Sequence, residues 1–222
     1  MINSILKKYI EDNILPLYKR NDLGHNLEHI KYVIDRSLKF AREISNDISY
    51  DMIYAIAAYH DIGYCVDPQN HEKVSAYLLS SDKRLKQFFN RHEIKIMVDA
   101  ICDHRASLKS EPKNIYGRIL SSADRNTSVK VMLKRIYAYE VKNSPNKSLD
   151  KIIEDARQHV INKFGKNGYA VRKMYFNDFS YKKFLCSVEL LVTDANKFRE
   201  KFIEVNNIAS GQSLNIKYYN FL

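Results

Sequence analysis

Apolar residues recur every three or four positions along almost the whole of this 222-residue chain, and such spacing is typical of amphipathic α-helices. No stretch shows the regular alternation of apolar and polar residues that marks a half-buried strand. Only 6 Gly and 4 Pro are available to interrupt helices. The pattern therefore predicts an all-α fold.

The predicted helices are separated by short polar turns. Their expected bounds are residues 3–19, with a bend or an end at Pro16, then 26–44, 49–61, 71–79, 82–91, 93–104, 115–125, 129–141, 149–164 and 178–205. The last is predicted as one long helix because it is rich in Phe, Leu and Val. We expect a core at 1–130, a helical C-terminal extension packed on it at 131–207, and a tail at 208–222 whose order the pattern does not decide.

An unusual break in the pattern lies at residues 55–63, where an apolar helix ends in the adjacent pair His60-Asp61 and then a glycine. Burying an imidazole and a carboxylate is costly unless each group has a partner. An isolated pair has a simple explanation, in which the histidine bonds a neighbouring carbonyl group and the aspartate faces water. The pair becomes informative only together with other polar residues on apolar helix faces.

Two further polar side chains fall on predicted apolar faces. His29 precedes Val33 by four residues and Asp124 follows Leu120 by four, so each shares a helix face with a buried aliphatic residue. Imidazole and carboxylate groups are ligands of Zn, Mn, Fe and Co. A candidate metal site with two imidazoles and two carboxylates from three helices therefore consists of His29, His60, Asp61 and Asp124. Such a set leaves coordination positions for water and substrate, as a catalytic site requires.

The chain carries a formal charge of +10, from 36 Lys and Arg against 26 Asp and Glu. A basic surface favours anionic partners, among them phosphorylated small molecules, nucleic acid and acidic membranes. The charge alone does not choose among these. Because the basic residues are scattered along the chain, a solvated lysine-rich surface is a simpler interpretation than a dedicated nucleic-acid interface.

Cysteine usage and the absence of targeting segments bear on the compartment. Cys65, Cys102 and Cys186 are odd in number and have no CxxC spacing, which disfavours a disulfide framework or an all-thiolate zinc site. We expect them to be small buried residues in a reducing compartment. The N-terminus lacks a secretion signal, and no stretch reaches the ~20 apolar residues of a membrane span. The expectation is a cytoplasmic protein with no membrane partner.

Taken together, these stretches resemble the HD-domain superfamily of metal-dependent phosphohydrolases. The segments that carry the resemblance all precede residue 130 and are 24–33 (GHNLEHIKYV), 56–63 (IAAYHDIG), 71–76 (HEKVSA), 101–105 (ICDHR) and 122–125 (SADR). The implied fold is an HD-domain helical bundle followed by a helical extension. The remainder of the chain matches no general family pattern, so the resemblance does not carry over a substrate.

The resemblance also implies a ligand set and a reaction. One divalent metal ion (Mn, Fe, Co, Ni, Zn or Mg) would be held by His29, His60, Asp61 and Asp124. The chemistry of these residues leads to the hypothesis that a phosphomonoester or phosphoanhydride is hydrolysed by attack of a metal-bound water, and the expected substrate class is a nucleotide. Asp61 would also orient or deprotonate that water. Cations beside the matched motifs, Arg105 and Arg125, would stabilise the transition state.

Three histidines complete the expected site. His71 and His104 match positions that face the pocket or bind a second metal in some members. His25 matches a neighbour of the ligands, and the alternative in which His25 binds the metal while His29 packs in the core stays open.

Other functions remain open at this point. The alternatives are a non-catalytic metal-binding or ligand-sensing helical module, a phosphodiesterase, and an oxidase with a di-iron centre that would use extra histidines. A guanosine tetraphosphate hydrolase is disfavoured because no Glu-Asp pair follows the His-Asp pair. A homodimer is one option for the assembly.

Overall fold

The computed structural model describes residues 1–22, 24–44, 47–144, 146–171 and 174–208. Within these ranges the chain forms α-helices and two short 3₁₀ helices, without any strand, so the predicted all-α fold is confirmed. The α-helices are α1 (Ser4–Asn13), α2 (Leu27–Ile44), α3 (Tyr50–Tyr59), α4 (His71–Ser81), α5 (Arg91–Cys102), α6 (Ile115–Ala123), α7 (Val129–Asn143), α8 (Leu149–Phe164), α9 (Phe179–Val192) and α10 (Ala195–Asn206).

The chain divides into two compact units. The first is Met1–Arg125 together with Met174–Asn177, and the second contains the described residues of Asn126–Lys173 and Asp178–Leu222. The division after Arg125 lies near the predicted end of the core at residue 130. That 131–207 pack on the core stays a prediction, and the predicted tail lies outside the described residues from residue 209 onward.

Helix α3 is the centre of the first unit. Every residue from Met52 to Tyr59 is buried, as expected for a helix that is apolar all round. Helices α1, α2, α4, α5 and α6 all pack against it. Its C-terminal end is anchored inside the unit, where the buried hydroxyl of Tyr18 donates a 2.8 Å hydrogen bond to the carbonyl oxygen of Ala58. The residues that follow α3 therefore lie in the interior of the first unit.

The second unit is built from α7 to α10. Helix α7 packs against α8 and α10, and α9 packs against α8 and α10. Phenylalanines 198 and 202, one turn apart on α10, are fully buried in this unit. None of the described helices in either unit is long and apolar enough to cross a membrane.

Two predicted helices of the first unit were wrong in extent. The helix expected over 3–19 ends at Asn13, and a 3₁₀ helix with Pro16 near its start follows at Leu15–Arg20. The helix expected over 82–91 is reduced to a 3₁₀ turn at Leu85–Gln87. Asn90 begins α5 instead, because its side chain and that of Glu93 form a reciprocal capping box.

The long final helix predicted over 178–205 is two helices. It breaks between Val192 and Ala195 because the Asp194 carboxylate accepts hydrogen bonds from the backbone N–H groups of Asn196 and Lys197, at 3.0 and 3.1 Å. An aspartate that caps a helix start competes with continuation of the preceding helix.

The prediction that the cysteines are buried was also wrong. Cys65 and Cys186 are exposed and Cys102 is half-buried, and all three are free thiols. Cys65 lies in the turns after α3, and Cys186 on an outward face of α9. Cys65 and Cys186 therefore have no packing role of the kind expected, whereas Cys102 packs partly buried against the core.

Candidate metal centre

The turn that follows α3 places two polar side chains in the core. His60 is the C-terminal cap of α3, and tight turns continue through hydrogen bonds from Ile62 to Tyr59 and from Tyr64 to Asp61. The exposed fraction of His60 is 0% and that of Asp61 is 2%. Both groups are therefore buried, and each needs a compensating partner.

This turn lies directly against α4. The Gly63 N–H donates a 2.9 Å hydrogen bond to the Oγ of Ser75, which is fully buried. A Cβ atom at position 63 would lie 2.7 Å from the Cβ of Val74 and 2.8 Å from the nitrogen of Ser75. Glycine is required here by the close approach of the two backbones. The contact brings His71, one helical turn before Ser75, against Asp61.

The four predicted metal ligands come together in one cluster, whose candidate ligand atoms all lie within 4.8 Å of one another. His29 Nε2 is 3.0 Å from Asp124 Oδ1 and 3.6 Å from Asp61 Oδ2. His60 Nε2 is 3.2 Å from Asp61 Oδ2 and 3.8 Å from Asp124 Oδ1. We call His29, His60, Asp61 and Asp124 the first cluster.

A second cluster uses the other oxygen of Asp61. Asp61 Oδ1 is 3.3 Å from His71 Nε2 and 3.6 Å from His104 Nε2, and the two ring nitrogens are 3.4 Å apart. Asp61, His71 and His104, which form this second cluster, are all buried. The carboxylate of Asp61 therefore belongs to both groups, one oxygen to each.

Three of the histidines are held in the same way. The Nδ1 atoms of His60, His71 and His104 hydrogen-bond to backbone carbonyl oxygens three residues earlier, at 2.8, 3.0 and 2.6 Å. Because a carbonyl oxygen only accepts, each Nδ1 carries the proton, which leaves the Nε2 lone pair of a neutral ring directed into the clusters. Such anchoring of the remote nitrogen is the usual arrangement of metal-binding histidines.

The two clusters fit a cation. In the second, two imidazole lone pairs and a carboxylate oxygen converge, an arrangement that is repulsive unless a positive charge lies among them. Among the described residues, the buried His60 Nε2 and Asp61 Oδ1 have no hydrogen-bond partner. The donor set is imidazole and carboxylate, which suits Zn, Mn, Fe, Co or Ni. The residues present therefore match the predicted divalent metal.

The pKa shifts of the buried groups also indicate that the first cluster favours a positive charge. Burial would raise the pKa of Asp61 and of Asp124, yet the surrounding histidines hold both well below the usual range. Burial lowers the pKa of His60, but the neighbouring carboxylates more than reverse this and raise it to about 10. The carboxylates thus attract either a proton on His60 or a cation in its place.

His25 lies beside both clusters without joining either. Its ring stacks on Tyr64 with centroids 3.6 Å apart, and it lies 6.1 Å from the rings of His29 and His71. His25 Nδ1 is 2.7 Å from the Asp22 carboxylate. Burial raises the pKa of Asp22, but hydrogen bonds from His25 and Tyr64 lower it to about 2.

Two residues of this region were not foreseen from the sequence. Asp22 is the partner of His25, and Asn21 ties the segment before α2 to the turn after α3. The Asn21 Nδ2 donates to the carbonyl oxygens of Asp61 and His25, at 3.0 Å each, and its Oδ1 accepts from the Cys65 N–H. The spacing of three residues between Asp22 and His25 could have indicated their contact. Nothing in the sequence indicates that Asn21 contacts the turn after α3.

The predicted catalytic cations take different positions. Arg105, next to His104, donates from Nη1 to the carbonyl oxygen of Gln69 at 2.7 Å and to the Glu72 carboxylate at 3.1 Å. This places its guanidinium near the second cluster, where it opposes protonation of His71. Arg125 follows Asp124, and its side chain is buried. Contact of either arginine with a substrate stays a prediction.

The geometry agrees with a likeness found at the level of sequence. Residues 26–127 match the family model described as the HD domain, and this match includes all the residues of both clusters. No curated protein and no solved structure gives a significant match to the chain. HD domains are typically metal-dependent hydrolases. Residues 26–127 of the first unit therefore carry an HD domain.

Proposed function

We propose that the protein is a divalent-metal-dependent phosphohydrolase that acts on a phosphorylated small molecule, most simply a nucleotide. The proposal is supported chiefly by the position of Asp61, whose two carboxylate oxygens face two separate sets of imidazole lone pairs. A carboxylate between two such sets is suited to bridge two cations. When bound, cations at these positions would polarise a phosphoryl group and favour ionisation of water near neutral pH.

The ligands would divide between two cations. His29, His60 and Asp124 would hold one, His71 and His104 the other, and Asp61 would contact both. The exposure of the ligands is uneven, because the side chain of Asp124 is 26% exposed whereas those of the histidines and of Asp61 are at most 10% exposed. Substrate would therefore approach from the side of Asp124.

His25 is the group best placed to move a proton. Its Nδ1–H is directed to Asp22, which would orient the ring for proton exchange with the substrate. The side chain is 19% exposed and stands beside both clusters. In the hydrolysis of a phosphate ester, the leaving oxygen takes a proton as the bond to phosphorus breaks. We assign this donation to His25, oriented by Asp22 and by its stacking on Tyr64.

A phosphate group on the substrate is supported by charge. The chain has a net charge of +10, and Arg105 lies beside the second cluster, where its pairing with Glu72 leaves the arginine side chain 39% exposed. A guanidinium in this position can contact phosphoryl oxygens through its remaining N–H groups. A nucleotide is proposed as the simplest phosphorylated partner of a basic enzyme, with phosphodiesters as the competing substrate class.

The test is a release assay on the full chain, freed of metal by chelation and reloaded with Mn²⁺, Co²⁺, Fe²⁺, Ni²⁺, Zn²⁺ or Mg²⁺ in turn. Nucleoside mono-, di- and triphosphates, sugar phosphates and a phosphodiester are compared by phosphate release and by chromatography. We expect metal-dependent turnover of at least one nucleotide and its loss in Asp61→Asn. Equal turnover by wild type and Asp61→Asn would refute the proposal, and turnover of the diester alone would replace the substrate class.

A further inference from the structure

The backbone around Asp124 is held by helix α2. Asp124 is the C-terminal cap of α6, so its ligand atom depends on the position of a helix end, where carbonyl groups lack partners within the helix. Its side chain is also the most exposed of the first cluster. The 3.0 Å separation of His29 Nε2 from Asp124 Oδ1 therefore requires something to fix this end of α6 against α2.

Two side chains of α2 supply that contact. Arg36 donates from Nε to the carbonyl oxygen of Ala123 and from Nη2 to that of Ser122, each at 3.1 Å. Tyr32 donates its hydroxyl proton to the carbonyl oxygen of Arg125, also at 3.1 Å. These hydrogen bonds thus fix the main chain immediately before and immediately after Asp124.

The spacing of residues along α2 explains why the side chains that contact the end of α6 lie on the same helix face as the predicted ligand His29. His29, Tyr32 and Arg36 stand at i, i+3 and i+7 and so share one face of the helix. The Arg36 guanidinium lies 5.3 Å from the ring centroids of Tyr32 and Phe40, which restrict its position. A positive charge at the C-terminal end of α6 is also favoured by the helix dipole.

We propose that Tyr32 and Arg36 form a clamp that sets the distance between His29 and Asp124, and so determines the metal affinity of the first cluster. Both are positioning residues, since neither offers an atom to the cation. The proposal rests on the metal site of the proposed function and adds two residues outside its ligands. Its physical basis is that groups which orient ligands contribute about 10- to 100-fold to metal affinity.

The variants are chosen to remove one contact at a time. Arg36→Met keeps an unbranched apolar stem and removes both hydrogen bonds, whereas Arg36→Lys keeps the charge without the planar fork. Tyr32→Phe removes only the hydroxyl group. Arg42→Met makes the matched change at an exposed arginine in the last turn of the same helix.

Metal affinity is measured by titrating the chelator-treated full chain with Co²⁺ and following the visible absorption, with calorimetry for Mn²⁺. We expect Arg36→Met to bind about 10- to 100-fold more weakly than wild type, and Arg36→Lys to regain part of the loss. Tyr32→Phe should lose about fivefold, the effect of one neutral hydrogen bond. Arg42→Met should bind as wild type does.

A double-mutant cycle separates positioning from general support of the fold. If Arg36 acts through Asp124, then Arg36→Met added to Asp124→Ala should weaken metal binding no further. Should Arg36→Met fail to fold, Tyr32→Phe and Arg36→Lys carry the same comparison. Wild-type affinity in these clamp variants, or a full additional loss in the Asp124→Ala background, would overturn the clamp alone. Wild-type protein that takes up no metal would overturn the proposed function as well.

Discussion

The two oxygens of Asp61 face two unlike clusters. Oδ2 lies among two histidines and a second carboxylate, whereas Oδ1 lies between two histidines only. The first cluster thus offers two negative charges to a cation and the second offers a share of one. Since affinity rises with the charge of the ligand set, we expect the first cluster to bind its cation more tightly and the second to exchange more readily.

The clusters also differ in what supports them. The first joins α2, the end of α3 and the end of α6, and its geometry depends on contacts between elements distant in sequence. In the second, His71 and His104 are each fixed by a carbonyl oxygen three residues earlier, and α4 is pressed on the turn after α3 at Gly63. The cluster that we expect to bind its cation more tightly therefore relies more on long-range packing, and the other relies more on local anchoring.

Removal of one ligand from each cluster tests this difference most strongly. We expect Asp124→Ala to lower kcat/KM by about 10³-fold or more, because the first cluster loses half its negative charge. His104→Ala should cost about 10- to 100-fold, and excess Mn²⁺ should restore part of it. Steady-state kinetics at several metal concentrations provide the comparison. Equal losses, both insensitive to added metal, would contradict the ranking of the clusters.

His25 lies beside the two clusters and should affect proton transfer while leaving metal binding intact. We expect His25→Gln to reduce kcat about 10²-fold for a nucleotide, whose leaving oxygen needs a proton. For p-nitrophenyl phosphate, whose leaving group does not need one, the loss should be much smaller. Asp22→Asn provides the matched change in its partner. A loss of metal affinity in His25→Gln would instead favour His25 as a ligand.

The support of the second cluster is tested at Ser75. Ser75→Ala leaves the buried Gly63 N–H without its acceptor, which should lower the free energy of unfolding by about 1–3 kcal/mol. Gly63→Ala should cost a similar amount through overpacking against Val74. Chemical denaturation of the metal-free protein measures both effects. Ser81→Ala, at the exposed end of the same helix, is the control and should change stability little.

The smallest expected effect is a difference between the two clusters in the number of protons that are released when a cation binds. The pKa of His60 is raised to about 10, so near neutral pH the metal-free first cluster holds a proton that a cation must displace. Its affinity should therefore increase as pH rises towards that value. Burial lowers the pKa of His71, so that ring is already neutral. The second cluster should therefore release fewer protons when it binds a cation. Calorimetry in buffers of different ionisation enthalpy counts the protons, and equal release in both binding steps would contradict this assignment.

Much of the first unit was predictable because its helices are strongly amphipathic or wholly apolar. The bounds of α2, α3 and α6 agree with prediction within two residues, and the structure gathers His29, His60, Asp61 and Asp124 as the spacing suggested. The hydrophobic pattern places these side chains on inward faces, and packing of inward faces brings them together. Their role as metal ligands remains a prediction.

What could not be predicted depends on single polar contacts. Asp194 ends one helix and caps the next without disturbing the apolar spacing, so the break in 178–205 left no periodic signal. The roles of Tyr32 and Arg36 arise from contacts with residues 86 to 93 positions away, and that of Asn21 from a contact 40 positions away. A hydrogen bond between distant segments has no local pattern from which it can be inferred.

Asp61 is placed so that it would help to hold two cations, and the most direct test is the metal stoichiometry of the chelated and reloaded full chain. Equilibrium dialysis against Mn²⁺, with the metal content measured by mass spectrometry, should give two ions per chain for wild type. One ion should remain in His71→Ala or His104→Ala, and less than one in Asp61→Asn. Undiminished binding of two ions by Asp61→Asn, or none by wild type, would contradict the account.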